Sequence, residues 1–323
     1  MSPRGRAILQ ALLVTFLWST SWVLIKLGLR ADFPALTFAG LRYGLAFLCL
    51  APFVLFNAGH RAALRALPRA AWLRLTVLGL VFYTLTQGAQ FVGLVYLPAA
   101  TLTLLLNLSP FVVALASVYL SDERPGRRQW GGILLSVAGA AVYFFPRAGP
   151  RAQLVGLAVG VVALLANAVS ALLGRRVNRD GRLSPLLVTA VSMGIGGGVL
   201  LAGGVATQGF GQLASTNWWI VAWLALVNTA LAFTLWNRSL RELTAVESSV
   251  INNTMMPQIA ILAWVFLGEA LNARQIVALV LVALGTTMVQ SGPKPAEPHP
   301  PQPPPPALPA AAPPSPPDTD RSR

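Results

Sequence analysis

Long apolar runs joined by short polar connections constrain the fold of this chain more than any other feature. The ten runs lie at 7–27, 34–56, 72–93, 98–120, 130–146, 153–173, 184–206, 217–236, 244–267 and 272–290. A helix that crosses the hydrocarbon core of a bilayer needs about 20 apolar residues. Charged residues make up only 11% of the chain, too few to coat a soluble domain. The sequence therefore predicts an all-α integral membrane protein with ten transmembrane helices.

The basic residues indicate how these helices are oriented. Connections on the side of the amino terminus carry most of the lysines and arginines, and connections on the opposite side carry few: Arg30, Arg147, Arg151 and Arg274. Membrane proteins keep such residues in the cytoplasm. We therefore predict a multi-pass protein of the cell (inner) membrane with both termini cytoplasmic. The net charge of +14 is a topology signal on this interpretation, and no nucleic acid is a predicted partner.

The two halves of the chain resemble each other at a constant spacing of 146 residues. Rare residue types recur in pairs without a gap: Trp72 and Trp218, Asn107 and Asn253, Glu123 and Glu269, Gln129 and Gln275, Gly139 and Gly285. The unit contains five predicted helices, and this odd number means that the second copy enters the membrane from the opposite side. The spacing predicts two inverted five-helix repeats, at 7–146 and 153–290, an arrangement that recurs in secondary transporters.

After the last apolar run the composition changes abruptly. Residues 291–323 are rich in proline and alanine and include four successive prolines at 303–306. Because proline lacks the amide donor and breaks helices, this segment is predicted to be a disordered, Pro-rich cytoplasmic tail with polyproline II character.

The sequence resembles the EamA-type transporters of the drug/metabolite transporter superfamily over roughly residues 7–290. The resemblance rests on short motifs at 16–22 (FLWSTSW), 26–28 (KLG), 41–43 (LRY), 106–110 (LNLSP), 256–257 (MP) and 266–269 (FLGE). The chain departs from the family pattern at 121–123, where Ser-Asp-Glu stands in place of Leu-Gly-Glu. The resemblance implies a ten-helix inner-membrane carrier of small metabolites, amino acids or drugs, which such carriers often move outward.

Polar side chains near the middle of the predicted spans are the candidate substrate-binding residues: Trp18, Asn107, Asn228, Asn252 and Asn253. A side-chain amide in lipid is costly unless it is bonded or wetted, so the asparagines are expected to face the bundle interior. Trp18, beside three small hydroxyl residues, could form the floor of a site for an apolar or aromatic substrate. The alternative for the asparagines is an interhelical hydrogen bond with a packing role, and for Trp18 a packed or lipid-facing ring.

Four further residues are candidates for gating or coupling: Arg42, Glu247, Pro110 and Pro257. Charge inside a membrane is rare and is a functional hypothesis by default. Arg42 could attract an anionic substrate group, or it could be a structural anchor. Glu247 could couple transport to protons, or it could be an interfacial residue. Each proline frees a carbonyl one turn earlier and could kink a substrate-facing helix or a packed one.

Other classes of protein are less well supported by the sequence. A membrane-embedded enzyme would need a catalytic set, yet the histidines, His60 and His299, both lie outside the predicted spans and no metal-ligand cluster is evident. A channel would need no inverted repeat. We therefore predict a secondary transporter, not an enzyme, that exports a small metabolite or drug-like molecule by alternating access, with protons as the coupling ion. No cofactor and no metal are predicted, and the sequence indicates no oligomeric state. Glu123 and Glu269 are expected to cap the helices that follow them.

Overall fold

The apolar runs fold as helices. The computed structural model describes residues 3–120, 126–144, 151–179, 183–211, 215–239, 242–243 and 251–290. In the first half the α-helices are α1 (Pro3–Arg30), α2 (Ala35–Leu55), α3 (Ala58–Arg65), α4 (Arg69–Gly79), α5 (Gly88–Tyr96), α6 (Ala99–Leu106), α7 (Ser109–Leu120) and α8 (Arg127–Phe144). In the second half they are α9 (Arg151–Arg179), α10 (Pro185–Gln208), α11 (Ser215–Ala225), α12 (Ala232–Ser239), α13 (Met255–Leu267) and α14 (Ala273–Gln290). The described residues include no strand, and the predicted tail and Glu247 lie outside them.

Seven of the helices are long and apolar enough to cross a membrane, counting only the part of the chain that the structure describes. They are Arg4–Arg30, Ala35–Leu55, Arg69–Tyr96, Ala99–Ala116, Gln153–Gly174, Pro185–Gln208 and Asn217–Trp236. Two shorter apolar helices follow at Ile251–Leu267 and Ala273–Val289. The prediction of an all-helical, multi-pass membrane protein is thus confirmed. Each of the ten predicted runs contains helix, whereas ten crossings remain a prediction.

Two of the long helices contain a π-helical segment, which the sequence did not predict. One segment, π1 (Leu80–Gln87), joins α4 to α5, and the other, π2 (Leu226–Leu231), joins α11 to α12. They begin at positions 146 apart, the spacing of the sequence repeat. A π turn widens the helix locally and is frequent at functional sites. In each segment a threonine hydroxyl, of Thr86 or Thr229, donates to a carbonyl five residues earlier.

Two other helices are interrupted at repeat-related positions. Residues 107 and 108 separate α6 from α7, and Thr254 separates helical residues 251–253 from α13. Pro110 lies at the start of α7, where a missing amide hydrogen costs least. The Ser109 hydroxyl donates to the Leu106 carbonyl at 2.6 Å, so it satisfies the acceptor that Pro110 leaves without its helical donor. The helix break predicted near Pro110 therefore lies at residues 107 and 108, just before the proline.

Helix pairs between the two halves contact each other reciprocally. Helix α1 packs on α12 and α13, and α9, its repeat counterpart, packs on α5, α6 and α7. Helix α2 packs on its own counterpart α10, and α8 packs on α14 in the same way. The main helix contacts therefore join one half to the other.

Small residues allow the closest of these contacts. A side chain at Gly132 would collide with the carbonyl oxygen of Gly285, and one at Gly285 would collide with Ser136, so α8 and α14 meet backbone to backbone. Gly79 of α4 and Gly196 of α10 make a similar contact. Apolar burial gives little driving force between helices in lipid, so close packing and interhelical hydrogen bonds hold the bundle together.

Large apolar side chains fill the space between α1, α2, α5 and α6. Phe38 is fully buried, with its ring 4.5 Å from that of Phe33 and 5.3 Å from that of Phe91, centre to centre. Leu94, Leu97 and Leu102 complete this core. It lies next to the end of α1 that carries Lys26, and it supports the ionic cluster described below.

Candidate functional site

Asn228 is a fully buried polar side chain in π2. Its amide nitrogen donates to the Leu17 carbonyl oxygen and, at 3.1 Å, to Oγ1 of Thr20, both on α1. The Leu17 carbonyl can only accept, so it determines which end of the amide faces α1. The amide oxygen of Asn228 has no hydrogen-bond donor among the described residues. An unpaired buried acceptor costs about 1–3 kcal/mol, which calls for an explanation other than stability.

Arg42 of α2 is a buried cation next to the same segment. Its side chain is 6% exposed, and Nε donates to Oγ1 of Thr229 at 3.2 Å. The Thr229 hydroxyl in turn donates to the Leu224 carbonyl at 2.8 Å. The guanidinium carbon lies 5.2 Å from the ring centre of Tyr43. No carboxylate of the described residues forms an ion pair with Arg42, so a hydroxyl and a ring are the partners of its charge.

Arg42, Asn228 and Thr229 together form what we call the π2 site. Asn228 faces α1 and Thr229 faces α2, so two helices of the first half contact this one short segment of the second. Arg42 and Asn228 were candidates from the sequence, and in the structure Arg42 binds Thr229, the residue that follows Asn228. Thr229 was missed, because its position in an apolar run gave no sign that it would meet Arg42.

Trp18 lies half-buried on α1, one residue from the Leu17 carbonyl that binds Asn228. Its ring packs against those of Phe233 and Trp236 on α12, at 5.4 and 5.2 Å between ring centres. This tilted aromatic group extends the surface of α1 and α12 from the π2 site towards the amino terminus of α1. The arrangement is compatible with both the substrate-binding and the packing interpretations of Trp18.

Asn107 and Asn253, the predicted repeat pair, both contact α14. Nδ2 of Asn107 donates to the Thr103 carbonyl at 2.9 Å, and the Asn107 carbonyl accepts from the Thr286 hydroxyl at 3.3 Å. Nδ2 of Asn253 donates to Oγ1 of Thr287 at 3.1 Å. Consecutive residues of α14 therefore bind the two helix interruptions, and the structure brings these two asparagines to one helix.

A polar seam that the sequence interpretation missed joins α1 to α13. Gln258 accepts from the Ser19 hydroxyl at 2.9 Å and donates to Oγ1 of Thr254 at 3.0 Å. Thr15 lies 3.4 Å from Thr254 through their hydroxyl oxygens. The available signal was a glutamine inside an apolar helix, directly after Pro257. This seam lies between the halves at the level of the Thr254 interruption.

The remaining candidates are not drawn into these clusters. Asn252 and Pro257 are both exposed, whereas the residues that follow them, Asn253 and Gln258, are partly buried. Pro110 is half-buried at the start of α7. Glu247 lies outside the described residues. None of the described residues forms a group of three or more metal-ligating side chains.

An ionic cluster lies at the end of α1 away from the amino terminus; we call Lys26, Arg30 and Glu269 the Lys26 cluster. Lys26 donates to the carbonyl oxygens of Leu94 and Leu97, at 2.6 and 2.5 Å, and lies 4.0 Å from Glu269. Arg30 donates to the Leu267 carbonyl at 2.9 Å. The cluster joins α1 and the α5–α6 connection of the first half to the carboxyl end of α13.

Glu269 caps a different helix from the one we expected. Its Oε2 accepts from the Ala99 amide at 2.8 Å, at the amino terminus of α6, rather than from an amide of α14. A carboxylate is favoured at that end of a helix and an ammonium at the other, so Glu269 and Lys26 each meet the helix end of opposite charge. Burial raises the pKa of the Glu269 carboxyl, although Lys26, the Ala99 and Ala100 amides and Arg30 act in the opposite direction.

The family model of the EamA-like transporters matches the chain twice, at residues 5–145 and 154–290. The chain belongs to this family. The two matches overlap the segments 7–146 and 153–290 that we predicted as repeats from the spacing of 146 residues. The recognition made from the short motifs is thereby confirmed.

Relatives of the chain are named as transporters. An S-adenosylmethionine/S-adenosylhomocysteine transporter of Chlamydia muridarum is 26% identical over 294 residues, 88% of this chain and 91% of the relative. A probable amino-acid metabolite efflux pump of Salmonella typhimurium is 27% identical over 293 residues, 85% of this chain and 91% of the relative. A crystal structure with 18% identity superposes with a TM-score of 0.63 over 88% of this chain and 97% of that chain, which indicates a shared fold.

Proposed function

We propose that this EamA-family protein is a secondary transporter that exports a small metabolite across the cytoplasmic membrane by alternating access. Two repeats of opposite orientation would exchange conformations around a site between them, which gives one protein an inward-open and an outward-open state. The relatives named above support a small polar metabolite as the substrate class.

The observation that carries this proposal is the pairing of helix irregularities between the halves. Segments π1 and π2 begin 146 positions apart, and the interruptions at residues 108 and 254 have the same spacing. Irregular backbone at membrane depth is tolerated where it is buried in protein or lines a cavity, and transporters use it at their binding sites. The reciprocal helix contacts are also those expected of related halves that pack face to face.

The inverted arrangement is tested by topology. Reporter tags are placed after residue 150 and after residue 323, and their accessibility is measured from each side of the membrane. Five crossings per repeat put the first tag outside and the second in the cytoplasm. If both tags were on the same side, the two repeats would not be inverted, and the argument for alternating access would fail.

The proposed binding residues are Trp18, Asn107, Asn228, Asn252 and Asn253, with Arg42, Pro110 and Pro257 as gating or coupling residues. With both termini inside, the Lys26 cluster lies at the outer end of α1, where it would close the outer side between the halves. Asn107→Ala and Asn253→Ala should each slow transport and leave membrane insertion intact. Unchanged flux in both variants would remove these two residues from the site.

Transport itself is tested with the purified full chain in proteoliposomes. Counterflow of radiolabelled S-adenosylmethionine, S-adenosylhomocysteine and a pool of amino acids is measured at increasing concentration. A carrier gives saturable counterflow with at least one of these solutes. Unitary conductance steps would instead identify a channel, and product formation without flux would identify an enzyme.

Direction and coupling are tested in the same vesicles. We propose protons as the coupling ion and Glu247 as the residue that carries them, because a carboxylate at a membrane boundary can have its pKa raised by desolvation. An imposed pH gradient should drive the solute outward, and Glu247→Gln should change the pH dependence of flux. An unshifted pH profile would exclude Glu247 as the coupling residue.

A further inference from the structure

Basic charge is concentrated in two segments on the predicted cytoplasmic side. Segments 57–74 and 174–184 carry four arginines each, against one carboxylate, Asp180. Segments 121–129 and 237–247, on the same predicted side, are nearly balanced, with three arginines against two carboxylates and two against two. A topology signal needs only an excess of basic residues over the other side of the membrane. It does not explain why the excess lies in two of the four connections on that side.

The structure brings these two segments together at one edge of the bundle. Helix α4 packs on α9 and α10, and Nε2 of His60 in α3 lies 3.4 Å from the Ser184 hydroxyl at the start of α10. A cleft of about 110 Å³ between the start of α4 and the end of α9 is lined by apolar side chains and by Arg74. The exposed arginines of α3 and beside this cleft are Arg61, Arg65, Arg69, Arg74 and Arg176, and we call them the basic edge.

Packing within the bundle explains little of helix α3. None of its eight residues is buried, and a helix of this length is marginal in water by itself. Asn57 caps the helix by accepting from the His60 amide at 3.1 Å, and Arg61 donates to the Leu55 carbonyl at 2.6 Å. Arg61 and Arg65 are four residues apart and therefore lie on the same side of the helix.

Large apolar side chains are exposed next to the basic edge. Phe53 is 65% exposed, and Phe56, at 85%, is the most exposed large apolar side chain in the part of the chain that the structure describes. Trp72 and Leu73 are exposed on the first turns of α4. Arginine and aromatic side chains at a membrane boundary put their apolar parts among the acyl chains and their polar ends among the head groups. The edge therefore presents both parts that a phospholipid would contact.

We propose that the basic edge binds an anionic phospholipid, with its phosphate on the arginines of α3 and α4 and its acyl chains against the neighbouring apolar side chains. The planar guanidinium group matches phosphate oxygens with paired hydrogen bonds. The cytoplasmic leaflet supplies anionic lipid at this depth. The inference goes beyond the proposed function and does not depend on which solute is transported.

Other anionic partners match only part of this surface. A soluble phosphate ester offers the same charge but leaves Phe53 and Phe56 without apolar contacts. An acidic protein would first have to displace lipid from these side chains. The combination of arginines with exposed aromatic rings at the membrane boundary therefore favours a lipid.

The test titrates the purified, delipidated full chain in a non-ionic detergent and counts bound lipids by native mass spectrometry. The probes are phosphatidylglycerol and phosphatidylcholine with the same acyl chains, and glycerol 3-phosphate as a soluble competitor. We expect phosphatidylglycerol to bind at least tenfold more tightly than phosphatidylcholine and to remain bound at an equal concentration of the competitor. Equal affinity of the two lipids, or displacement by glycerol 3-phosphate, would overturn the proposal.

Variants locate the bound lipid on the molecule. Arg65→Gln with Arg69→Gln should weaken phosphatidylglycerol binding about tenfold or more, because each arginine near an anionic head group contributes about fivefold. Arg6→Gln with Arg238→Gln is the matched control, since it removes the same charge from exposed positions elsewhere on the same side and should bind as the unaltered chain does. An equal loss in both double variants would mean a general attraction to net charge and would contradict a site at the basic edge. The preference of the unaltered chain between the two lipids decides the lipid class even if a variant fails to insert.

Discussion

The Lys26 cluster and the π2 site both contain a basic side chain that is mostly buried, but they differ in how many protein groups bind its charge. Lys26 has two carbonyl oxygens and a carboxylate, and Arg30 has a carbonyl. Among the described residues, Arg42 has one hydroxyl and one ring as partners, and the amide oxygen of Asn228 in the same site has no donor. Charges whose partners come from the protein hold helices together. Arg42 has fewer protein partners for its charge than Lys26 has, counting the residues that the structure describes.

The largest expected effect is the loss of Lys26. Lys26→Met leaves the Glu269 carboxylate largely buried without its cation, and breaking a buried pair in this way costs about 3 kcal/mol. The measurement is the free energy of unfolding in mixed micelles. The double variant Lys26→Met with Glu269→Met should recover most of the loss, because a buried pair can be replaced by apolar side chains at little cost. Arg238→Met, an exposed change on α12, is the control. A double variant as unstable as the single one would mean that the pair itself stabilises the fold.

A smaller loss is expected at Thr229. Thr229→Val removes the hydroxyl that accepts from Arg42 and should lower the free energy of unfolding by about 2 kcal/mol, the range for hydrogen bonds to charged groups. Thr234→Val, five residues later and exposed, should change it little. Equal effects of the two substitutions would mean that the contact between Arg42 and Thr229 carries no stability.

The effect of Glu269 on how the free energy of unfolding varies with pH is expected to be smaller still. Burial raises the pKa of Glu269 in the folded protein, so the folded state binds this proton more tightly than the unfolded state. The contribution of Glu269 to stability is therefore complete below its ordinary pKa and is lost as the pH rises through the raised value. Urea titrations at successive pH values should show this loss in the free energy of unfolding for the unaltered chain and not for the Glu269→Gln variant. Lys26 and Arg30 also face the carboxylate and lower its pKa, so Arg30→Gln should raise that pKa further and enlarge the pH-dependent loss of stability. Identical pH profiles with and without Glu269 would contradict it.

The smallest effect on stability is expected at Asn228. Asn228→Leu removes an unpaired buried oxygen together with two hydrogen bonds, so the free energy of unfolding should change by less than about 1 kcal/mol. Urea unfolding of the variant and of the unaltered chain in mixed micelles measures this difference. A loss as large as that of Lys26→Met would make Asn228 a structural residue.

The sequence predicted the parts of this structure that depend on local pattern. Apolar length gave the helices, and the spacing of 146 residues gave the pairing of Asn107 with Asn253, which meet successive threonines of α14. Arg42 stood out because a charge inside an apolar run is rare.

The parts that were missed depend on contacts between distant helices. No local signal shows that Glu269 caps α6 rather than α14, or that Thr229 meets Arg42 from 187 positions away. The π segments shift which side chains share a face, so helical spacing alone could not place Asn228. Asn252 differs from Asn253 by one position, but its side chain is exposed, since successive residues of a helix point about 100° apart.

The glycine contact between α8 and α14 has a mechanical consequence. Gly132 and Gly285 bring two backbones together with no side chain between them, and farther along α8 a side chain at Gly139 would collide with the carbonyl oxygen of Ala278. Helices that interlock so tightly cannot slide or roll past each other unless they first separate. We therefore expect α8 and α14 to move as one unit, although they belong to different halves, so that any relative motion of the halves has to keep this pair together.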